Sequence, residues 1–247
     1  MSRFHRAVAL LSGGIDSTTA LMVALREAEK VFALSFDYQQ RHKIELERAR
    51  QIVQRLTDHG ANIEHYIQTF DLRLWGGSAL TSSMEVPKDR EIQDMAHGIP
   101  VTYVPARNTV FLAFGAALAE ASGSQAVYGG WNVLDYSGYP DCRPEYLQAM
   151  QEALRRGTKM NDLTIEAPLV LKSKVDIIKW GLELGAPYDL TWSCYDPQIP
   201  ISEHHARKIE REGVASVAIP CGRCDSCLLR AKGFAELNTE DPALVTA

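Results

Sequence analysis

The chain has 247 residues, of which 46% are hydrophobic and 23% are charged, a composition that excludes a disordered protein. Its net charge of −5 and its sequence pI of about 5.8 exclude an overall basic surface for RNA or DNA, so we expect a small-molecule substrate and no nucleic-acid partner. The longest strongly apolar run, Thr109–Ala119, is too short to span a bilayer, and the first strand begins too early for a signal peptide, which predicts a cytoplasmic protein without a membrane contact.

A glycine-containing loop follows this first strand. The segment Ala7–Ala20 runs from an apolar strand pattern through Ser12, Gly13 and Gly14 into a helical pattern, which predicts a strand, a tight turn and a helix start. The N–H groups and the dipole at a helix N-terminus attract anions, so the expected ligand is a phosphate. Asp16 is a carboxylate in this loop, which indicates that it meets the phosphates through Mg²⁺. The loop therefore predicts binding of a metal-bound nucleotide.

Helices and strands alternate along the rest of the chain. The apolar periodicity predicts helices over Thr18–Ala28, Lys43–Thr57, the later part of Val101–Gly123, Glu145–Arg156 and Ser173–Leu184. It predicts further strands over Val31–Phe36, Ala61–Phe70, Gln125–Gly130 and Leu163–Leu169. This alternation predicts an α/β fold with one doubly wound, Rossmann-like parallel sheet in a nucleotide-binding domain over residues 1–187, followed by a small C-terminal region over residues 188–247.

Polar and aromatic stretches follow two of the predicted strands. Residues 37–42 follow the second strand, and Trp131–Arg143 follows the strand that ends at Gly130. Ligands of open α/β sheets bind at the carboxyl ends of the strands, so we expect both stretches to line the site. The long polar segment Asp71–Pro100 lacks periodicity and is interpreted as a mobile lid or substrate loop.

Three cysteines lie within seven residues near the C-terminus. Cys221, Cys224 and Cys227 have the spacing of metal ligands, and Cys194 would complete a tetrahedral, structural Zn²⁺ site with four sulfurs. The 26 residues between Cys194 and Cys221 hold a polar helix, Ser202–Glu212, that ends at Gly213 and is expected to be an exposed flap. His204 or His205 could replace Cys194 as a ligand. Cys142 stands apart, and a packing or substrate-contact role is favoured over a nucleophilic one.

The loop sequence SGGIDS resembles the pyrophosphate loop of the N-type ATP pyrophosphatases. Together with FDYQQRH, VPARNTVFL, DYSGYPDCRPE, APLVLKSKVDII, LTWSCY and CGRCDSCLLRAKGF, it resembles the 7-cyano-7-deazaguanine synthase family over nearly the whole chain. The resemblance implies ATP-dependent conversion of 7-carboxy-7-deazaguanine and ammonia to the nitrile, with release of AMP and pyrophosphate, by a cytoplasmic homodimer. The chain departs from the family pattern at Gln39, where many relatives have Gly, and in the connection between Cys194 and Cys221, which is longer than in close relatives.

The resemblance also assigns roles to residues of this chain. Asp16, Lys174 and Arg107 are the expected catalytic residues, although Lys174 could equally be a solvated residue in the first turn of its helix. The expected substrate-binding residues are Arg41, Tyr136, Tyr139 and Asp141, of which Asp141 would accept hydrogen bonds from the base; Trp131 could also stack on it, and His42 is more often structural at such a position. The expected ATP-binding residues are Leu10, Leu11, Ser12, Gly13, Gly14, Ile15, Asp16, Ser17, Thr18, Thr19 and Ala20.

Two other functions fit parts of the same pattern. An ATP pyrophosphatase that thiolates RNA could hold an iron–sulfur cluster on the clustered cysteines, but the acidic pI weighs against an RNA substrate. A zinc-stabilised nucleotide-binding module without turnover is the third interpretation, and the presence of Asp16 in the loop argues for catalysis instead.

Overall fold

A five-stranded parallel sheet forms the centre of the protein, which a computed structural model describes over residues 2–41, 43–91, 95, 98–134, 139–200 and 202–245. The strands are β1 (Phe4–Leu10), β2 (Ala28–Asp37), β3 (Ile63–Thr69), β4 (Ala126–Tyr128) and β5 (Thr164–Glu166). Their order across the sheet is β3-β2-β1-β4-β5, and each neighbouring pair is parallel. The predicted doubly wound α/β fold is confirmed.

Helices connect the strands and pack on both faces of the sheet. They are α1 (Ile15–Glu27), α2 (Ile44–Asp58), α3 (Arg107–Ser122), α4 (Pro144–Gly157), α5 (Lys174–Glu183), α6 (Glu203–Glu212), α7 (Asp225–Glu236) and the short α8 (Pro242–Val245). Alternate residues of β1 enter two cores: Ala7 and Ala9 pack in the core that contains Leu21 of α1, whereas Val8 packs in the core that contains Leu112 of α3. This alternation follows from the two-residue period of a strand.

One strand and one helix have boundaries that differ from the predicted ones, each for a physical reason. The strand predicted over Leu163–Leu169 is only β5, because Pro168 has no N–H for the ladder and the chain turns through a bond from the Val170 N–H to the Ala167 carbonyl oxygen. The helix predicted within Val101–Gly123 begins at Arg107, after Ala106, whose φ of 54° lies in the left-handed region. The sites of the helices and strands otherwise agree with the prediction to within a few residues.

The C-terminal region packs against the sheet domain through Tyr188. The Tyr188 hydroxyl lies 2.6 Å from Thr19 Oγ1 of α1 and donates to the Ile177 carbonyl oxygen of α5. Its ring makes an edge contact with Phe234 of α7. These contacts join the two regions and do not test the boundary at residue 188, which stays a prediction. Among the described residues no helix combines the length and the apolar character needed to cross a membrane.

The loop over residues 71–100 contacts the C-terminal region through charged groups. Lys88 pairs with Asp196 at 2.6 Å, Arg90 pairs with Asp225 at 2.9 Å, and Asp89 pairs with Arg223. A backbone bridge between Lys88 and Cys224 runs beside these pairs. We call these three ion pairs the charged clasp. It holds the middle of a segment that the sequence predicted to be a mobile lid.

Candidate active site

A cleft of about 250 Å³ lies at the carboxyl ends of the central strands. The chain continues from β1 towards β3 on one side and from β4 towards β5 on the other, so the crevice between β1 and β4 is the topological switch point of the sheet. Open α/β sheets bind ligands at such a point. The glycine loop after β1, the segment after β2 and the segment after β4 all line this cleft. The sequence placed the site at these same strand ends.

Gly13 allows the glycine loop to lie directly on helix α2. Its φ is +93°, and a Cβ atom at this position would lie 2.4 Å from the Glu45 carbonyl oxygen. The hydroxyls of Ser12 and Ser17 are 2.9 Å apart, and the Gly14 N–H donates to Ser12 Oγ at 3.3 Å. Helix α1 begins immediately after Gly14 and its first turn lines the cleft. This loop therefore presents hydroxyls and a helix N-terminus to a ligand, as an anion site requires.

The end of β4 closes the other side of the loop. A Cβ atom at Gly130 would lie 2.6 Å from the Asp16 carbonyl carbon and from the Ser17 nitrogen. Only a residue without a side chain lets the two segments come so close. Gly130 thus fixes the start of α1 against the strand that flanks the cleft.

Asp16 and Lys174 form an ion pair inside the cleft. The Lys174 ammonium donates to Asp16 Oδ1 at 2.6 Å, and the two side chains are 12% and 29% exposed for Lys174 and Asp16 respectively. Lys174 opens helix α5, whose start is fixed by a reciprocal capping box between Ser173 and Asp176. The structure therefore brings together two of the three predicted catalytic residues, and Lys174 is not a solvated surface residue.

Arg107, the third predicted catalytic residue, enters the cleft from the start of α3. Its Nη1 lies 3.4 Å from the Tyr38 hydroxyl, and its guanidinium carbon lies 5.8 Å from the centre of the Phe111 ring. Within the described part of the chain its Nε is buried without a hydrogen-bond partner. A buried N–H without a partner is costly, so this donor is available to an acceptor of a ligand.

Asp141 is buried beside the cleft but does not line it. Its Oδ2 accepts the backbone N–H of Asn108 at 3.0 Å, at the start of α3. Asn108 in turn donates to the Cys142 sulfur at 3.4 Å, and both Asn108 and Cys142 line the cleft. The base-binding role of Asp141 stays a prediction. The geometry favours a positioning role, since a carboxylate stabilises the N-terminus of a helix.

The other predicted substrate residues have different surroundings. The Tyr139 hydroxyl lies 2.8 Å from Thr102 Oγ1, and Trp131 is buried; both residues line the cleft. Arg41 also lines it, is 39% exposed, and pairs with Asp196 at 3.4 Å. Tyr136 and His42 lie outside the described residues.

The Cys142 thiol is not prepared for nucleophilic attack. Burial raises its pKa to about 12, with the nearby Asp141 carboxylate adding to the shift. A thiol with such a pKa is protonated at neutral pH, and the thiol form is a weak nucleophile. The contact role that the sequence favoured agrees with this chemistry.

Four cysteines form a cluster that fits a metal ion. The sulfurs of Cys194, Cys221, Cys224 and Cys227 all lie within 4.8 Å of one another. The Cys194 sulfur also accepts the N–H groups of Cys221 at 3.2 Å and Asp196 at 3.3 Å, which stabilises a thiolate. The segment between Cys194 and Cys221 is attached to α2 just after its helix α6, because Glu47 of α2 accepts the N–H groups of Val214 and Ala215. Neither His204 nor His205 belongs to this cluster.

Helix α7 connects the cysteine cluster to the cleft. Cys224 precedes the helix and Cys227 lies in its first turn, while Ser226, Leu229 and Arg230 line the cleft. Arg230 is fixed by Asp241, with distances of 2.5 and 2.8 Å, and by Thr191 Oγ1 at 2.9 Å. These cleft residues were not predicted, because the sequence pattern indicated only a C-terminal appendage at this segment. The available signal was their position in the sequence, since Ser226 lies between two of the clustered cysteines and Leu229 and Arg230 follow Cys227 within one helical turn.

Glu45 is a further cleft residue that was not predicted from the sequence. It lies in the first turn of α2, where the sequence showed only a charged amphipathic helix. Burial raises its pKa to about 7, although the Arg107 charge acts in the opposite direction. Its position close after the carboxyl end of β2 was the signal that could have identified it.

Comparisons with known proteins agree on one family. A family model described as "Queuosine biosynthesis protein QueC" matches residues 6–238. Proteins named "7-cyano-7-deazaguanine synthase" from Nostoc sp., Trichodesmium erythraeum and Kineococcus radiotolerans are each 48% identical to this chain. The alignments cover 96%, 97% and 96% of this chain and 96%, 100% and 96% of those proteins.

A solved structure shares the fold at a lower level of similarity. The structure described as "Crystal structure of a 4-thiouridine synthetase - RNA complex with bound ATP" matches with a TM-score of 0.50 and 20% identity. The match covers 94% of this chain and 53% of that chain. At this identity the match supports the fold alone.

Proposed function

The chain belongs to the QueC family of queuosine biosynthesis proteins, and from this premise we propose how its residues perform the family's reaction. The enzyme is an ATP-dependent ligase that converts 7-carboxy-7-deazaguanine and ammonia to 7-cyano-7-deazaguanine. A carboxylate is a poor electrophile because oxide is a poor leaving group. Adenylation supplies a better one, ammonia then forms the amide, and a second adenylation of the amide oxygen allows AMP to leave as the nitrile forms.

We assign the phosphates of ATP to the glycine loop. Ser12, Gly13, Gly14 and the first turn of α1 would hold them, with the helix dipole and Lys174 stabilising the negative charge that develops on transfer. Asp16 has a carboxylate oxygen besides the one that binds Lys174, and this oxygen would hold Mg²⁺. The ion would neutralise charge on the phosphates when bound.

Arg107 and the aromatic side chains surround the space left for the deazaguanine. The unpartnered Nε of Arg107 would donate to an oxygen of the carboxylate or its adenylate, which holds the reacting carbon near the glycine loop. Tyr139 and Trp131 would pack on the base. Arg41 and Tyr136 stay proposed substrate residues, and Asp141 would act by fixing Asn108.

The four cysteines would hold a structural Zn²⁺ ion. Four thiolates without an open position match a structural zinc site, and α7 carries part of the cleft wall directly from this cluster. The ion would order that wall and take no part in the chemistry. We also propose that the protein is a cytoplasmic homodimer that binds no nucleic acid, in keeping with its net charge of −5.

The Asp16–Lys174 pair in the cleft is the observation that carries this assignment. The test incubates the protein with ATP, Mg²⁺, ammonium and 7-carboxy-7-deazaguanine and identifies the products by mass spectrometry. We expect the nitrile, AMP and pyrophosphate from the wild type, and a loss of roughly 100-fold or more in AMP formation for Asp16→Asn. Asp162→Asn, the same change at an exposed position, serves as the control.

Two results would contradict the assignment. Near-normal AMP formation by Asp16→Asn would remove Asp16 from the reaction. A brown, iron-containing protein that transfers sulfur to RNA would instead support the thiolating pyrophosphatase.

A further inference from the structure

Glu45 lies against the glycine loop and faces the cleft. The backbone of its helical turn packs on Gly13, since a Cβ atom there would meet the Glu45 carbonyl oxygen at 2.4 Å and the Ala49 nitrogen at 3.1 Å. The Glu45 side chain lines the cleft together with Ser12, Gly14 and Arg107. The carboxyl group is therefore held close to the proposed site of the ATP phosphates by the helix packing itself.

The Glu45 carboxyl has no partner within the described part of the chain. No N–H or hydroxyl donates to it, and no cation forms an ion pair with it. The other acid of the cleft, Asp16, is paired with Lys174, and Lys43, two residues before Glu45, pairs with Asp37 instead. Glu45 thus differs from its neighbours in being acidic, inward-facing and unpaired.

An unpaired carboxylate beside ATP is electrostatically unfavourable. Like charges in a partly desolvated cleft repel one another more strongly than in water. The cleft therefore favours either a proton or a small cation next to Glu45 when nucleotide is bound. Burial raises the pKa of Glu45 to about 7, so a large share of its carboxyl groups carries a proton at neutral pH.

The reaction brings a small cation to the cleft. Ammonium is the main form of ammonia at neutral pH, and it must lose a proton before its nitrogen can attack a carbon. A base whose pKa lies near the working pH performs such a transfer best. A carboxyl that alternates between its two forms near pH 7 has this property.

We propose that Glu45 binds the ammonium ion and accepts the proton whose loss frees ammonia to attack the adenylated carboxylate. This rests on the proposed function. The ammonia lone pair forms the C–N bond, and the C–O bond to AMP breaks with its electron pair on the phosphate oxygen. The proton on Glu45 passes to water, and the carboxylate then takes the second proton that the nitrogen loses as the amide forms.

Other charged and titratable groups share the cleft and are part of the electrostatic setting. Those from the described residues are Asp16, Tyr38, Arg41, Arg107, Tyr139, Cys142, Lys174, Tyr195 and Arg230. The Arg107 charge acts on Glu45 most directly and favours its ionised form, whereas burial opposes it. Ammonium bound beside Glu45 would favour the ionised form further.

The test separates adenylation from the ammonia step in Glu45→Gln. Exchange of labelled pyrophosphate into ATP, with 7-carboxy-7-deazaguanine and without ammonium, reports adenylation alone and is expected to stay within about threefold of wild type. Nitrile formation at about pH 7 is expected to fall roughly 100-fold or more. Part of the loss should return at about pH 9, because free ammonia increases roughly tenfold per pH unit below the pKa of ammonium.

Three controls make the outcome decisive. Asp58→Asn, the same charge change at the exposed end of α2, should match wild type in both assays. Glu45→Asp keeps a carboxylate and should lose less nitrile formation than Glu45→Gln. The wild type must form the nitrile in the same assay, and its failure to do so would refute the proposed function instead.

Three outcomes would overturn the role of Glu45. An equal loss in pyrophosphate exchange would place it in adenylation or base binding. Unchanged nitrile formation would remove it from the reaction. A loss that is the same at both pH values would show that proton transfer from ammonium is not its task.

Discussion

Gln39 lies in the segment after β2, and its φ of 61° is in the left-handed region. Gly is the residue that adopts such a conformation without steric cost. Gln39 also donates to Asp37 Oδ1 from its backbone N–H at 3.2 Å and from its side chain at 3.3 Å. The hydrogen bonds of Gln39 to Asp37 therefore offset part of the strain of this left-handed conformation.

Substitution at Gln39 can separate the backbone conformation from the side chain. Gln39→Gly should change the free energy of unfolding by less than about 0.5 kcal/mol, because relief of strain is offset by greater freedom in the unfolded chain. Gln39→Val should cost about 1–2 kcal/mol, because a β-branched residue is poorly tolerated at positive φ. Urea unfolding measures both. Equal stability of the two variants would show that the loop relaxes to another conformation.

Side-chain direction at single residues is where prediction from sequence was weakest. The base-binding role of Asp141 stays a prediction, and the bond from the Asn108 N–H at the start of α3 to its carboxylate was not expected. Glu45 was treated as part of a charged helix surface, yet it faces the cleft. Residue type and spacing give the chemistry that is available, whereas the direction of each side chain depends on neighbours from other parts of the chain.

At the scale of elements, the cysteine cluster organises three segments. Helix α7 carries Arg230 into the cleft, Asp196 after Cys194 contacts Arg41 and Lys88, and the charged clasp joins the loop 71–100 to the same region. Each contact originates within a few residues of one of the clustered cysteines. Individual exposed ion pairs contribute little, so the shared anchor matters more than any one pair.

Removal of the metal should therefore loosen parts of the chain far from the cysteines. We expect about one zinc and no iron per chain, and Cys194→Ser should lose the metal while His205→Ala keeps it. In Cys194→Ser, hydrogen exchange should become faster in α7 and in residues 85–91, and stay unchanged in β3. Elemental analysis and exchange mass spectrometry measure these effects. Loss of zinc in His204→Ala or His205→Ala, with full zinc in Cys194→Ser, would show that the ligand set is wrong.

The inserted helix shows what sequence can predict about an element. Ser202 accepts the His205 N–H at 3.2 Å and Gly213 ends the helix with a φ of 84°, as the capping residues indicated. The helix buries none of its described side chains completely, which confirms an exposed position. Its attachment through Glu47 could not be predicted, because that contact joins residues 167 positions apart.

Across the whole molecule, two buried groups oppose each other in the dependence of stability on pH. Burial raises the pKa of Glu45 to about 7, so the folded state holds a proton there that the unfolded chain has lost. Burial lowers the pKa of His65 to about 4, with Arg50 adding to the shift, so the folded state lacks a proton that the unfolded chain holds. Between about pH 4.5 and pH 6.5 the two effects have opposite signs and cancel.

Single substitutions should reveal each effect. Glu45→Gln removes the opposing effect of Glu45, so the free energy of unfolding should rise with pH more steeply than in the wild type through this window, with His65 contributing up to about 1.4 kcal/mol per unit. For His65→Gln only Glu45 remains, and stability should fall as pH rises towards 7. Urea unfolding at several pH values measures the slopes. Parallel slopes in both variants would contradict the shifted pKa values.

The fold and the location of the cleft could be predicted because both follow from local patterns. The apolar periodicity predicted the helices and strands, and the carboxyl ends of the strands predicted the location of the cleft. The structure also brings together Asp16 and Lys174, two of the residues predicted to be catalytic, but their contact was not predicted. The remaining walls could not be predicted, since Glu45 and Arg230 reach the cleft only through the packing of α2 and α7.

The Asp16–Lys174 pair has a consequence for the order of events during synthesis. Its two residues lie 158 positions apart, and the wall from α7 follows later still. At about 5–20 residues per second, Lys174 is added to the chain roughly 10–30 s after Asp16. During that interval the glycine loop lacks the Lys174 charge, so we expect it to bind a nucleotide only weakly. We therefore expect ATP to stabilise the nearly complete chain more than its first half.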